Sequence, residues 1–250
     1  MKDPWEVPLS ALEKDLEEVC NNLAEELERL IKKLNRKRGV IEASAYNYNY
    51  LSTHFRSLVQ ELEELGFTDI AKQYSLMLID VSPDLVKNVS NYCGLSISMV
   101  DKSMIESLAK LGHEGMMHLG MQNLSLIRSN VISYVLAGGE ESEIIAKIRR
   151  DIEAKFKRYA TTYLWTSVHL YNQKINDITI EKAGIKPEDM LWRYVGVLDN
   201  KNRPECRWAR LKDIFTYKER KEFEEKYGLR WNCRHTFFPI PPDKIDKEAE

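Results

Sequence analysis

The chain has 250 residues, 43% of them apolar and 30% charged, and its formal net charge is −2. This length supports one large or two modest domains with a real core. A charge so near zero excludes a global field that recruits nucleic acid or acidic membranes, so any DNA contact needs a local basic patch. We expect no membrane span, because no run of about 18 apolar residues occurs. The acidic first residues predict no export signal, and four scattered cysteines favour a reducing cytoplasm.

The first two-thirds of the chain predict helices. Apolar residues recur in steps of three and four from Leu9 to Leu34, which predicts one helix with a continuous apolar stripe. The stripe is short for a coiled coil, so we interpret it as a helix packed on its neighbours. Its end is basic, which indicates either a solvated helix end or a contact for DNA or a partner. The basic residues are Lys32, Lys33, Arg36, Lys37 and Arg38.

Further helices follow in the middle of the chain. A second helix is predicted from Ile41 to Leu65, before a glycine. Ser82-Pro83 predicts a helix start, with Ser82 as N-cap and proline at the first helical position. A long apolar-periodic stretch predicts a helix over 104–136, and another runs from Ser142 towards Asp177 with room for a break.

The pattern changes after Gly184. The segment 191–197 alternates and is rich in aromatic and β-branched residues, which predicts a strand. A turn is predicted from Asp199, leading into a hairpin-like arm that carries Cys206. Residues 217–227 predict a short charged helix, and 231–238 predict a second strand. The predicted fold class is therefore mainly α, an elongated multi-helix body with a small α+β module at the C-terminus.

The tail contains the candidate site. Residues at i and i+2 of a strand share a face, so Cys233 and His235 are expected side by side, with Arg234 turned away. Together with Cys206 they offer three ligands of the kind that zinc prefers, and Asp199 or Glu205 could supply an oxygen ligand. The spacing leaves two alternatives open, a disulfide and plain packing with hydrogen bonds.

A catalytic interpretation of the same residues is weaker. It would use His235 as general acid and base, with Arg203 or Arg234 holding a phosphate. Because Arg234 is expected to point away from His235, that set is poorly formed. A small metal-dependent hydrolase or nuclease therefore stays the alternative to a binding protein.

Two runs of the tail carry a family resemblance. Asp199-x-x-x-Arg203-Pro204-Glu205-Cys206 is followed by Asn232-Cys233-Arg234-His235-x-Phe237-x-Pro239. This pattern resembles the C-terminal signature of the phage Mu F-like head morphogenesis family of minor head proteins. The upstream order is similar too, and the resemblance covers about residues 120 to 240. Relatives often carry His-Pro before the Asn-Cys-Arg run, where this chain has Arg230-Trp231, and this difference favours a structural role for the tail.

The resemblance implies a structural protein of a phage or prophage head rather than an enzyme. The expected partners are the portal protein or the major capsid protein and packaged DNA, with no membrane and with self-association left open. The expected location is the host cytoplasm during assembly and then the virion. Zinc is the one cofactor that the residues suggest. The shared signature comprises Asp199, Arg203, Pro204, Cys206, Asn232, Cys233, Arg234 and His235. We interpret it as a structural link between the two arms of the tail, with Arg203, Arg207 and Arg234 as the expected polar contacts.

The same resemblance divides the chain. Residues 1–137 form an N-terminal helical region, 138–243 a head-morphogenesis-like region that ends in an αβ module at about 185–243, and 244–250 a polar tail. A third interpretation, a bacterial coiled-coil scaffold, would use residues 1–40 for dimerisation.

Overall fold

The computed structural model describes residues 5–55, 57–95, 101–196, 198–200, 202–227, 233 and 235–244. Helices dominate this part of the chain, and the strands form two small three-stranded sheets. The predicted class, mainly α with a small α+β module near the C-terminus, is confirmed. Within the described ranges, none of the helices combines the length and apolar composition that a membrane crossing requires.

The elements follow one another in a simple order. The helices are α1 Glu6–Lys32, α2 Ala45–His54, α3 Leu58–Glu64, α4 Phe67–Cys93, α5 Lys102–Ala137, α6 Glu141–Asp151, α7 Arg158–Lys182, α8 Pro204–Lys212 and α9 Tyr217–Tyr227. The strands are β1 Arg36–Lys37, β2 Val40–Ile41, β3 Gly139–Glu140, β4 Leu191–Gly196, β5 Ile214–Thr216 and β6 His235–Ile240. A π-helical segment, Ile152–Lys157, joins α6 to α7.

The residues group into two compact units. One comprises Met1–Glu6, Ser75–Leu111 and Tyr163–Glu250, and the other comprises Val7–Tyr74 and Gly112–Thr162. The long helices α4, α5 and α7 each contribute residues to both units. The boundaries at residues 137 and 243 that the resemblance implies stay predictions.

Helix α1 has the predicted apolar stripe. Leu9, Leu16 and Leu23 are fully buried, and the stripe ends with Ile31 inside the helix and Leu34 just beyond it. Because this face is buried within the chain itself, the packing favours a bundle helix over a self-associating coiled coil.

The connection after α1 is a hairpin with a two-residue turn. Lys37 pairs with Val40, and the turn residues Arg38 and Gly39 have φ of 53° and 83°. Positive φ at both central residues is the geometry that matches the twist of two-residue hairpins. The fully buried side-chain amide of Asn47 holds the two ends of this hairpin. Its Oδ1 accepts from Asn35 N (2.8 Å) and its Nδ2 donates to Glu42 O (2.9 Å).

The single helix predicted over 41–65 is wrong, because two serines begin separate helices. Ser44 Oγ accepts from Asn47 N (3.3 Å) at the start of α2. Ser57 Oγ accepts from Gln60 N (3.2 Å) at the start of α3. Each hydroxyl satisfies a backbone donor that a helix start leaves open, so each serine marks a new helix.

The helix start predicted at Ser82-Pro83 is also wrong, because α4 continues through it. Ser82 is fully buried, and its hydroxyl bonds Leu78 O (2.7 Å) and Tyr171 Oη (2.6 Å) instead of capping. A proline inside a helix costs about 3 kcal/mol. Val81 and Leu85 on either side of this turn are buried, so packing of the turn opposes that cost.

The remaining long helices agree with the sequence. Helix α5 matches the stretch predicted over 104–136, and the helix predicted from Ser142 corresponds to α6, the π-helical segment and α7. The predicted strand over 191–197 is β4, and the predicted charged helix is α9. The second strand is β6, which runs to Ile240, while the predicted start at Trp231 lies outside the described residues.

The C-terminal sheet forms the core of the first unit. Its strand order is β5-β4-β6, all antiparallel, with Trp192 opposite Phe215 and Tyr194 opposite Phe237. These four aromatic side chains are buried and pack with Phe223 and the inner face of α8. Helix α9 begins with a capping box in which Thr216 N donates to Glu219 (2.8 Å) and Glu219 N donates to Thr216 Oγ1 (3.2 Å).

The second unit depends on a close helix contact at Gly120. A Cβ at this buried position would collide with the ring of Phe67, which packs edge-on against Phe156 at 5.3 Å. We expect Gly120→Ala to lower the free energy of unfolding by about 1–3 kcal/mol, because the added carbon overpacks the core. Urea denaturation monitored by circular dichroism measures it.

The pair Phe67→Leu and Gly120→Ala provides the control. Removing the ring edge makes room for the new carbon, so the double variant should lose less stability than the sum of the single variants. Strictly additive losses of stability would contradict a direct contact between Phe67 and a side chain at position 120.

Candidate metal centre

Three ligand-type side chains of the tail meet at one point. Cys206 lies on α8, Cys233 precedes β6 and His235 is the first residue of β6. Among the described residues, their two Sγ atoms and one imidazole nitrogen lie within 4.8 Å of one another. Cys233 Sγ is 3.9 Å from His235 Nδ1. Cys206 and His235 are buried and Cys233 is half-buried, so the group is largely shielded from solvent.

Strand β4 and two helices position the arm that carries His235. His235 pairs with Gly196 at one end of β4. The carbonyls of β6 are also held by helices, since Asn176 Nδ2 donates to Phe237 O (3.0 Å) and Cys93 Sγ to Pro239 O (3.5 Å).

Cys206 lies in a helix rather than in the predicted hairpin-like arm. Pro204 occupies the first turn of α8 and Glu205 is the acidic residue there. This is a recognised helix-start signal, which the sequence interpretation missed. The buried face of α8 carries Cys206 and Ala209, so packing of the helix on β4 brings the thiol to the cluster.

Tyr194 is the functional candidate that sequence reasoning missed. Its hydroxyl lies 3.6 Å from Cys206 Sγ and 3.8 Å from Cys233 Sγ. Its ring stacks on the His235 ring with centroids 5.1 Å apart and planes 8° apart. The alternation of β4 places Tyr194 on the same face as Trp192, but nothing local indicates that this face meets the two thiols.

Hydrogen bonds and burial shift the pKa values of Cys206, Cys233 and Tyr194 in different directions. Hydrogen bonds from Cys233 first, and then from His235 and Tyr194, lower the pKa of the Cys206 thiol far below its usual range. The bond to Cys206, together with burial, raises the pKa of Cys233. Burial, reinforced by Cys233, raises the pKa of Tyr194. The arrangement therefore stabilises negative charge on Cys206, as a cation-binding site requires.

The other two cysteines are ordinary buried thiols. Burial raises the pKa of Cys20 to about 12 and that of Cys93 to about 11. Both are therefore protonated at neutral pH and are poor metal ligands or nucleophiles.

The carboxylates predicted as oxygen ligands do not join the cluster. Asp199 and Glu205 bring no carboxylate oxygen into the 4.8 Å group. Asp199 forms the predicted turn, in which its carbonyl accepts from Asn202 N (3.3 Å). Arg203 precedes α8 as its N-cap residue. Asn232 and Arg234 lie outside the described residues, as do Arg230 and Trp231.

The basic residues form an exposed surface at the end of α1 and on the following hairpin. Arg36 is partly committed, since Nη2 donates to Lys32 O (2.7 Å) and pairs with Glu141. All five side chains are exposed: Lys32, Lys33, Arg36, Lys37 and Arg38. Their contact with nucleic acid stays a prediction.

A buried ion pair supports the wall of the site. Arg220 is fully buried, donates to both carboxylate oxygens of Asp177 (2.6 and 2.8 Å) and donates from Nε to Glu224 (2.6 Å). Its guanidinium lies 4.0 Å from the ring centroid of Trp192. The network links α7, α9 and β4.

A cavity of about 280 Å³ adjoins the cluster. Its lining includes the side chains of Tyr194, Cys233 and His235, and those of His169, Gln173 and Glu224. Gln173 Nε2 donates to Glu224 Oε1 (2.6 Å), so the polar wall is ordered by the Arg220 network.

The two thiols and the imidazole of this shielded group are ligand types that Zn²⁺ favours, so together they could hold a zinc ion. No protein-family model, curated protein or solved structure significantly matches this chain.

Replacing Arg220 tests whether its buried ion pairs stabilise the wall of this site. We expect Arg220→Met to lower the free energy of unfolding by about 3–5 kcal/mol, because Asp177 and Glu224 lose their buried counter-charge. Urea denaturation monitored by tryptophan fluorescence measures it.

Lys221 offers a matched control. It also pairs with Glu224 (3.1 Å), but its side chain is 48% exposed. Lys221→Met should cost less than about 1 kcal/mol. Equal losses in the two variants would contradict a special role for burial at Arg220.

Proposed function

We propose that this protein is a minor head protein of a phage or prophage, and that it acts in head assembly by binding the portal protein or the major capsid protein. The observation that carries the proposal is the meeting of the two signature arms. Cys206 from the first arm and Cys233 and His235 from the second place their ligand atoms within 4.8 Å. Three of the residues that support the resemblance thus lie together although they come from different arms of the tail.

The role of this unit is to hold the tail module together. Zinc, when bound by Cys206, Cys233 and His235, would join α8 to the start of β6 through bonds that need no large core. A small module gains most from such a link, since it has little apolar surface to bury.

Helix α8 is the surface that the link would fix for a partner. Its inner face is buried at Cys206 and Ala209, while Trp208 is 51% and Leu211 80% exposed. Exposed tryptophan and leucine beside exposed arginines, Arg203 and Arg207, are typical of an interface with an apolar centre and a polar rim. The α8 surface therefore suits a protein partner.

Packaged DNA is a second expected partner, through the basic residues at the end of α1. Such a contact would be electrostatic and independent of base sequence, so it should weaken steeply as salt rises. It is separate from the α8 surface in both residues and chemistry.

Metal analysis tests the centre. We expect the purified protein to contain about one zinc per chain, and Cys206→Ser or His235→Ala to lose it, since each variant removes a ligand. Inductively coupled plasma mass spectrometry gives the stoichiometry. Cys93→Ser is the control and should keep its zinc. Zinc-free wild-type protein that does not take up added zinc would contradict the centre.

Co-expression with the portal or the major capsid protein of the same phage tests the assembly function. We expect wild-type protein to co-purify with one of them, and Trp208→Ala with Leu211→Ala to weaken the affinity about tenfold or more, since exposed aromatic anchors dominate interfaces. Leu126→Ala, at another exposed leucine, should bind normally. Failure of the wild-type protein to bind either partner argues against the function.

One observation favours a metal-dependent hydrolase or nuclease as the second candidate. The cavity beside Cys233 and His235 also contains Glu224 and His169, groups that could move protons. This candidate expects zinc-dependent cleavage of nucleic acid or ester substrates that His235→Ala abolishes. The assembly function expects no turnover above that of the variant.

A further inference from the structure

Two cysteine sulfurs of the tail lie side by side. Cys206 on α8 and Cys233 before β6 come from different arms, yet their Sγ atoms are no more than 4.8 Å apart. The S–S bond of a disulfide is about 2.05 Å long, so the two sulfurs need to approach by less than about 3 Å. A change of side-chain rotamer moves a cysteine sulfur over a comparable distance. The spacing therefore suits a disulfide that side-chain rotation can close.

The hydroxyl of Tyr194 does not block this approach. Its Oη is 3.6 Å from Cys206 Sγ and 3.8 Å from Cys233 Sγ. Because the sulfurs are at most 4.8 Å apart, these two distances place the hydroxyl to one side of the line that joins them. The Tyr194 ring is 3% exposed and stacks on the His235 ring, so packing holds the hydroxyl in that position.

A small oxidant can reach the pair through the adjoining cavity. Cys233 is half-buried and its side chain lines this cavity of about 280 Å³, while Cys206 is 4% exposed. Hydrogen peroxide is little larger than a water molecule, which occupies about 30 Å³ in the liquid. The cavity therefore has room to bring peroxide to Cys233, with the second thiol within reach.

We propose that Cys206 and Cys233 form a reversible disulfide when the folded protein meets hydrogen peroxide. One sulfur attacks a peroxide oxygen, the O–O bond breaks, and a sulfenic acid and one water result. The other sulfur displaces the hydroxyl as a second water and forms the S–S bond. The two thiols together lose two electrons and two protons, and the peroxide becomes two waters. A small dithiol restores both thiols by exchange.

This disulfide needs no metal, so it goes beyond the proposed zinc centre and does not rest on it. It closes a covalent loop that contains β5 and α9, and it joins α8 to the start of β6 by a bond that persists in an oxidising medium. Since sulfurs joined to each other no longer offer two thiolates, oxidation should release any zinc that the site has bound.

Peptide mapping of the metal-free protein tests the pairing. A chelator removes metal, and the folded protein is then treated with a small molar excess of hydrogen peroxide. We expect two of the four cysteines to become unreactive towards a thiol reagent, with a mass loss of about 2 Da. A non-reducing tryptic digest should contain residues 202–207 joined to residues 231–234, and dithiothreitol should separate them.

Cys93→Ser is the matched control, because Cys93 is a half-buried thiol of the same compact unit and lies outside the group of three. It should form the same joined peptides. Cys206→Ser and Cys233→Ser should each lose them, and circular dichroism shows that the variants fold. Wild-type protein oxidised in urea should instead give a mixture of cysteine pairs, because only the fold selects this pair.

Two outcomes would overturn the disulfide. One is that the folded wild type keeps all its thiols after peroxide treatment, and the other is that it gives the same mixture of pairs as in urea. Zinc analysis separates this inference from the metal centre. A protein that binds no zinc but forms the link loses only the centre, and one that binds zinc but forms no link when metal-free loses only the disulfide.

Discussion

The buried guanidinium of Arg220 is the interaction on which the C-terminal module depends. Removing an arginine from water costs several kcal/mol, and only close, fully paired counter-charges offset that cost. Asp177 on α7 and Glu224 on α9 supply them, and Trp192 on β4 covers the guanidinium face. The Arg220 network thus fixes α7, α9 and β4 at one point. Through Glu224 it also orders the polar wall of the cavity beside the thiols.

The candidate metal centre is a second link of a different kind. Bound metal would join α8 to the start of β6, and the strength of this link would depend on the cation and on deprotonation of its thiol ligands. The Arg220 network needs no cofactor, while a zinc link would form only when metal is present.

Local signals accounted for much of the fold. The apolar stripe of α1, the alternation of β4 and the charged α9 follow from side-chain periodicity, which any reader of the sequence can count. The prediction of a helix start at Ser82-Pro83 was wrong because the buried Ser82 hydroxyl bonds Leu78 O and Tyr171 Oη, two partners that periodicity does not reveal. Helix α8 was missed although Pro204 and Glu205 carry a start signal, because the short arm was interpreted as a turn.

The sequence by itself determined the chemistry available at the tail, two thiols and an imidazole in two arms, since residue types need no fold to be recognised. It also determined that Cys233 and His235 are neighbours, as residues two apart near a strand must be. Only the tertiary structure excluded Asp199 from the cluster and brought in Tyr194. The reason is physical: the approach of Tyr194 to Cys206 depends on the register of β4 with β6 and on the packing of α8, which are contacts between residues distant in the chain.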